Sequence, residues 1–220
     1  MLLRTLIFCS LLAGLAGCEP DTGRIKPEAG EVGGLTATPD ATPTTDRLFV
    51  PGERVGAIRP GMSANQIRDV YGPEQFVAAT LYGPEGITFP GYRLFPGTDD
   101  ELSVMVEDSM FTAYTSDVGG RWAVAGTGVR VGTSLGQLNR LNGGPFEFSG
   151  FGWDYGGNVT DWRGGALAGY ALSLDYDYNQ IDSDHPFMRY AVGDTTVDSA
   201  DERLTDADVR VSVLRLYVEL

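Results

Sequence analysis

A sixteen-residue pattern occurs twice in this chain, and that repetition constrains its fold more than any other feature. AIRPGMSANQIRDVYG at 57–72 and GVRVGTSLGQLNRLNG at 128–143 align without a gap at a constant offset of 71 residues. Arg59, Gly61, Ser63, Gln66 and Gly72 match Arg130, Gly132, Ser134, Gln137 and Gly143. Serine followed three residues later by glutamine is the spacing of a capping box, in which the two side chains satisfy each other's orphan backbone amides. Met62 precedes its cap and suits a staple against Ile67, with Thr133 and Leu138 as the weaker counterpart. Ile67 with Val70, and Leu138 with Leu141, are expected on the buried face. Gly72 and Gly143 stop the helix. Two turns are too few to be stable alone, so each helix must dock on something larger.

The partner is sheet. Runs at 76–81, 87–95, 101–106, 110–114 and 121–125 follow the first helix, punctuated by Pro-Gly pairs and a Gly-Thr-Asp-Asp tract. Runs at 145–151, 158–162, 170–176 and 209–218 follow the second. The last carries apolar residues at both parities, which predicts a strand covered on both faces. The expected fold class is α+β, with two tandem related units at 47–126 and 127–220, each a short capped helix on antiparallel strands.

The N-terminus reads as an address. Met1-Leu-Leu-Arg4 is followed by an apolar run from Leu6 to Leu15, too short to span a bilayer as a helix and suited to a signal peptide. It ends in Leu15-Ala-Gly-Cys18. That tetrapeptide resembles the lipobox of bacterial lipoproteins, which implies cleavage after residue 17 and acylation of Cys18. Cys9 lies in the removed segment and Cys18 is consumed, so no thiol is left for a disulfide, a metal site or a nucleophile. Residues 18–46, with Pro20, Pro27, Pro39 and Pro43 among Thr, Gly, Asp and Glu, read as a flexible tether reaching about 30 Å. The implied location is the cell envelope, lipid-anchored in the outer membrane and facing the periplasm.

Charge excludes one class of partner. The chain has 16 Lys and Arg against 30 Asp and Glu, a net charge of −14. Nucleic acid would be repelled, because its binding rests on basic residues neutralising phosphates.

Two resemblances follow from the repeat. Residues 55–73 resemble the opening of the SmpA/OmlA and β-lactamase-inhibitor-like modules, which implies small α+β units. GTSLGQLNRLNGGPF at 132–146, followed by GFGWDYGGNVTDW at 150–162, resembles the signature of a group of bacterial envelope proteins; that likeness spans most of 50–175 and implies no particular activity.

The glycine-aromatic segment 150–165 is the main candidate site. It reads either as a bent hairpin whose aromatics fill the core, or as a partly exposed surface. In the second case Trp153, Tyr155 and Trp162 offer ring faces to a sugar or a protein hot spot, with Asp154 and Asp161 as polar anchors. A second candidate, Asp175, Asp177 and Asn179, opens like a calcium loop but lacks the glycine and the bidentate glutamate that complete one. His185 is the sole histidine, and the chain has no nucleophile elbow, Walker loop or dinucleotide fingerprint. The sequence therefore points to a non-catalytic module without a cofactor. It is expected to bind or scaffold an envelope protein; the alternatives are a glycan or peptidoglycan binder, or an inhibitor of a secreted hydrolase.

Overall fold

The two copies of the repeat fold alike down to single hydrogen bonds. A computed structural model describes residues 45–107, 110–116 and 120–219 of the chain; Cys18, the signal segment and the tether up to residue 44 lie outside them. Helix α1 spans Ala64–Tyr71 and α2 spans Leu135–Asn142. Ser63 Oγ accepts from the Gln66 amide and Gln66 Oε1 from the Ser63 amide, at 3.3 and 2.8 Å. Ser134 and Gln137 repeat the exchange at 3.4 and 3.1 Å. Upstream, the Arg59 amide donates to Met62 Sδ and the Arg130 amide to Thr133 Oγ1. Both turns hold their glycine at positive φ, 81° for Gly61 and 88° for Gly132, which a side chain would disfavour.

The buried face differs from the expected one. Ile67 and Leu138 are fully buried, but Val70 and Leu141 are 41% and 38% exposed. Their neighbours Tyr71 and Asn142 are buried instead. Positions i and i+4 lie closer around a helix than i and i+3, and here the i+4 residue carries a polar anchor. The Tyr71 hydroxyl accepts from the Ala57 amide at 2.8 Å. The Asn142 side chain donates to the carbonyls of Gly144 and Trp162 and accepts from the Leu167 amide.

The fold class is α+β, and strands from both halves share one sheet. Strands β1 (Leu48–Val50), β2 (Arg54–Val55) and β7 (Ala123–Val124) form a small sheet. Strands β3 (Phe76–Tyr82), β4 (Thr88–Leu94), β5 (Leu102–Glu107) and β6 (Met110–Thr115) form an antiparallel meander. Strand β12 (Arg210–Glu219) pairs with β6 and with β10 (Ala171–Asp175), giving the order β10-β12-β6-β5-β4-β3. A third sheet contains β8 (Glu147–Ser149), β9 (Val159–Asp161) and β11 (Thr196–Asp198). The likeness between the halves thus stops at the capped helix: a meander follows the first copy and a bent hairpin the second. One hydrophobic cluster draws on both halves, from Phe49 to Leu216. The boundary between 126 and 127 divides neither the core nor the large sheet. Asp46, expected to end the tether, belongs to the fold through its ion pair with Arg54 and its bond to the Leu48 amide.

Helix α3 spans Pro186–Ala191, directly after the sole histidine. His185 Nδ1 caps it by accepting from the Phe187 amide, and Phe187 packs on Tyr176 at 4.6 Å and Phe151 at 5.8 Å.

Strand β12 corrects the reading of a strand covered on both faces. Ser173 stands opposite Val213, whereas the next residue, Leu174, stands opposite Val211, so Ser212 is an extra residue. Such a bulge shifts the side-chain phase by one. Before it Val209 and Val211 are buried; after it Leu214 and Leu216 are. The odd-numbered Val213, Arg215 and Tyr217 are thereby delivered to the other, open face.

Candidate functional site

The open face of the large sheet presents a row of aligned side chains. Arg93 pairs with Ser103, Ser103 with Tyr114, Tyr114 with Arg215 and Arg215 with Ala171. The adjacent row sets Met105 opposite Thr112 and Thr112 opposite Tyr217. Directly paired residues lie on the same face of a sheet, so these groups form one surface.

The glycine-aromatic segment makes a wall above it. The segment is a bent hairpin joining β8 to β9, closed by bonds between Ser149 and Asn158 and between the Gly157 amide and the Ser149 carbonyl. It is pressed backbone to backbone onto β10. The Leu174 amide donates to the Gly157 carbonyl at 2.8 Å, and a Cβ on Gly157 would lie 2.0 Å from the Leu174 carbonyl oxygen. Only glycine fits there. Asn158 then accepts from the Ser173 hydroxyl, and its Oδ1 is 3.5 Å from Arg215 Nη1.

Between wall and sheet lies a groove of about 440 Å³, lined by residues including Tyr82, Phe89, Met105, Tyr114, Arg215 and Tyr217, with Asp154 at its side. Its volume falls within the range of small-ligand sites, roughly 300–1,000 Å³. The Tyr155 hydroxyl reaches Glu85 Oε1 at 3.3 Å, at the tip of the β3–β4 hairpin. The Glu85 charge, burial and that hydrogen bond raise the Tyr155 pKa. Glu85 holds a φ of 58°, a left-handed conformation uncommon outside glycine.

The five sequence candidates separate. Asp154 lines the groove, Tyr155 bridges to Glu85, and Trp153 packs edge-on against Tyr155 with ring centroids 5.4 Å apart. Trp153 and Tyr155 are 40% and 41% exposed. Trp162 belongs to the core: it packs on Phe146 at 4.7 Å and donates its indole N–H to the Tyr170 carbonyl. Asp161 lies outside the groove and accepts from the Arg163 amide. The hairpin therefore fills the core with one end and walls a groove with the other. With Trp162 buried and the two remaining rings edge-to-face, the three-ring platform of the surface alternative is not formed.

The calcium-like run serves its own turn. Asp177 accepts from the Asn179 amide and side chain and from Gln180 Nε2. The Asn179 amide, then Gln180, hold its pKa below the usual carboxylate value. Asp175 accepts from the Tyr176 amide. Asp175, Asp177 and Asn179 thus spend oxygens or amides on local bonds. Among the described residues, no three His, Cys, Asp or Glu side chains gather where they could hold a metal ion.

Sequence pattern alone does not single out Arg215 as a site residue. It is half-buried, and burial pulls its pKa below the usual arginine value. Nη1 donates to Ser173 Oγ at 2.6 Å. Among the described residues it makes no ion pair. The sequence signal was a lone charge in the alternating run Val-Ser-Val-Leu-Arg-Leu-Tyr at 211–217, but its significance depends on the bulge at Ser212. Thr112 lines the same groove at 3% exposure, and its Oγ1 has no hydrogen-bond partner among the described residues. Other depressions differ. The one of about 370 Å³ beside α2 is lined by groups already engaged with neighbours, among them Asp201 with Arg203 and Asn139 with Ser199.

No protein-family model, curated protein or solved structure matches the chain.

Proposed function

We propose that this chain is a non-catalytic binding module of the cell envelope, held by a lipid on Cys18, whose partner enters the groove between the open sheet face and the 150–158 hairpin. The observation that carries this reading is the groove itself. Tyr82, Tyr114 and Tyr217 line it together with an arginine that no carboxylate among the described residues pairs with. Tyrosine and arginine are the residue types that anchor interfaces, because each combines a large flat body with a polar tip. The groove's polar groups are hydroxyls, one guanidinium and Asp154, a set that suits recognition.

A photo-crosslinking residue in place of Tyr217 tests the reading, with one in place of Tyr178 as control. Both positions are more than half exposed, but only Tyr217 lines the groove. The expected result is one discrete crosslinked species from position 217 and none from 178, in whole cells of the producing organism. Equal patterns from both would reject the groove as the contact. Replacing Cys18 with serine is expected to release the protein from the membrane fraction, while its melting temperature stays unchanged.

A further inference from the structure

We infer that the groove recognises the free C-terminal carboxylate of a peptide whose last side chain is apolar, with Arg215 as the anion-binding group. This rests on the groove being the binding site and specifies what it takes. Arg215 Nη1 is occupied by Ser173 Oγ and approaches Asn158 Oδ1, while Nε and Nη2 donate to nothing among the described residues. Those two N–H groups form one edge of the guanidinium fork, whose spacing matches the two oxygens of a carboxylate. Arg215 is already fixed by the Ser173 bond and held in the strand, so little side-chain freedom remains to be lost on binding.

The charge of the ligand follows from that of the site. Among the described residues Arg215 is the one basic group lining the groove, Asp154 lines it too, and the chain carries a net −14. One cation in such a field suits a single negative charge; phosphate or a polyanion would bring charge that nothing here neutralises. The surroundings then choose among monoanions. Phe89, Met105, Val213 and the tyrosine rings line the same groove, so an apolar group must arrive with the charge. A C-terminal residue carries its carboxylate and its side chain on one carbon, and both reach a site of this size together. An Asp or Glu side chain brings the charge on a bare methylene stem.

Calorimetry with acetyl-Ala-Ala-Leu, as the free acid and as the C-terminal amide, tests this on the complete chain. The expected result is binding of the acid, with the amide at least tenfold weaker because a hydrogen-bonded charge pair is lost. Arg215→Gln should abolish the acid-over-amide preference, and Arg215→Lys should keep part of it. Asp154→Asn should tighten the acid severalfold by removing a like charge. Thermal melting of each variant confirms that it is folded, and the acid–amide comparison on the unaltered protein needs no variant at all. Equal affinity for acid and amide would overturn the inference. So would binding of galacturonic acid or inorganic phosphate as tightly as the free-acid peptide. If neither peptide binds while position 217 still crosslinks a partner, the carboxylate assignment fails and the binding groove stands.

Discussion

Asp100 is buried and Arg215 half-buried, and the two charges are treated in opposite ways. Asp100 is 8% exposed and sits in the turn before β5. It accepts from Arg47 Nε at 3.0 Å and from the Arg121 amide and guanidinium, while its own carbonyl accepts from the Trp122 indole. Arg47 also lies 3.9 Å from the centre of the Phe95 ring. The cluster fastens the small sheet to the large one. Among the described residues Arg215 makes no such pair, in a chain with nearly twice as many acidic as basic residues. Carboxylates are plentiful, and none among the described residues pairs with it. The comparison teaches that a charge surrounded by its counterions serves the fold, whereas one left open at a groove is free to serve a ligand.

The largest expected effect is at the paired site. Asp100→Ala removes the carboxylate shared by Arg47, whose side chain is 10% exposed, and Arg121. Such a break costs about 3–5 kcal/mol, measured by urea unfolding. A loss below about 1 kcal/mol would erase the contrast. Acid provides the next test. Burial pushes the Asp100 pKa upward, but the Arg121 side chain and amide, with Arg47, outweigh it and hold the value at about 2 against an ordinary 3.8. Because the folded-state value is depressed, the stabilisation is complete above about 4 and is lost as pH falls toward 2. It amounts to roughly 2 kcal/mol, and Asp100→Asn should lack that part of the acid slope.

Smaller effects are expected in the groove. Arg215→Met gives up no ion pair among the described residues and removes a half-buried charge, so stability should change by less than about 1 kcal/mol in either direction. A loss as large as that of Asp100→Ala would make Arg215 structural and remove the distinction. Thr112→Val exchanges an unpaired buried hydroxyl for a methyl group of similar shape. A gain of a few tenths to about 1 kcal/mol is expected in the same unfolding assay.

The sequence showed the helices better than the site. Serine and glutamine at capping spacing set the start of each helix, and glycine ended both. Only the rotation about the axis was misjudged, because Tyr71 and Asn142 are buried for their hydrogen bonds and apolar periodicity does not register such residues. Most strands were visible as apolar runs between turn signals. Helix α3 was not, since six residues with Phe187 and Ala191 as anchors carry too little periodicity. The sequence of the 150–165 segment suits either core or surface, and the structure divides it: Trp162 is core, while Trp153 and Tyr155 are half exposed. Arg215 was hidden for a different reason. The phase of β12 depends on one bulged residue, Ser212, and a bulge is set by pairing with β10, which no local pattern records.

The most direct test of the groove is hydroxyl-radical footprinting of tyrosines, comparing the protein in intact envelopes with the purified chain. Tyr82, Tyr217 and Tyr178 are 71%, 53% and 62% exposed, and Tyr178 lies outside the groove. If the groove is where the partner sits, labelling of Tyr82 and Tyr217 falls severalfold in the envelope while that of Tyr178 holds. Undiminished labelling of Tyr82 and Tyr217, or a loss confined to Tyr178, would contradict it.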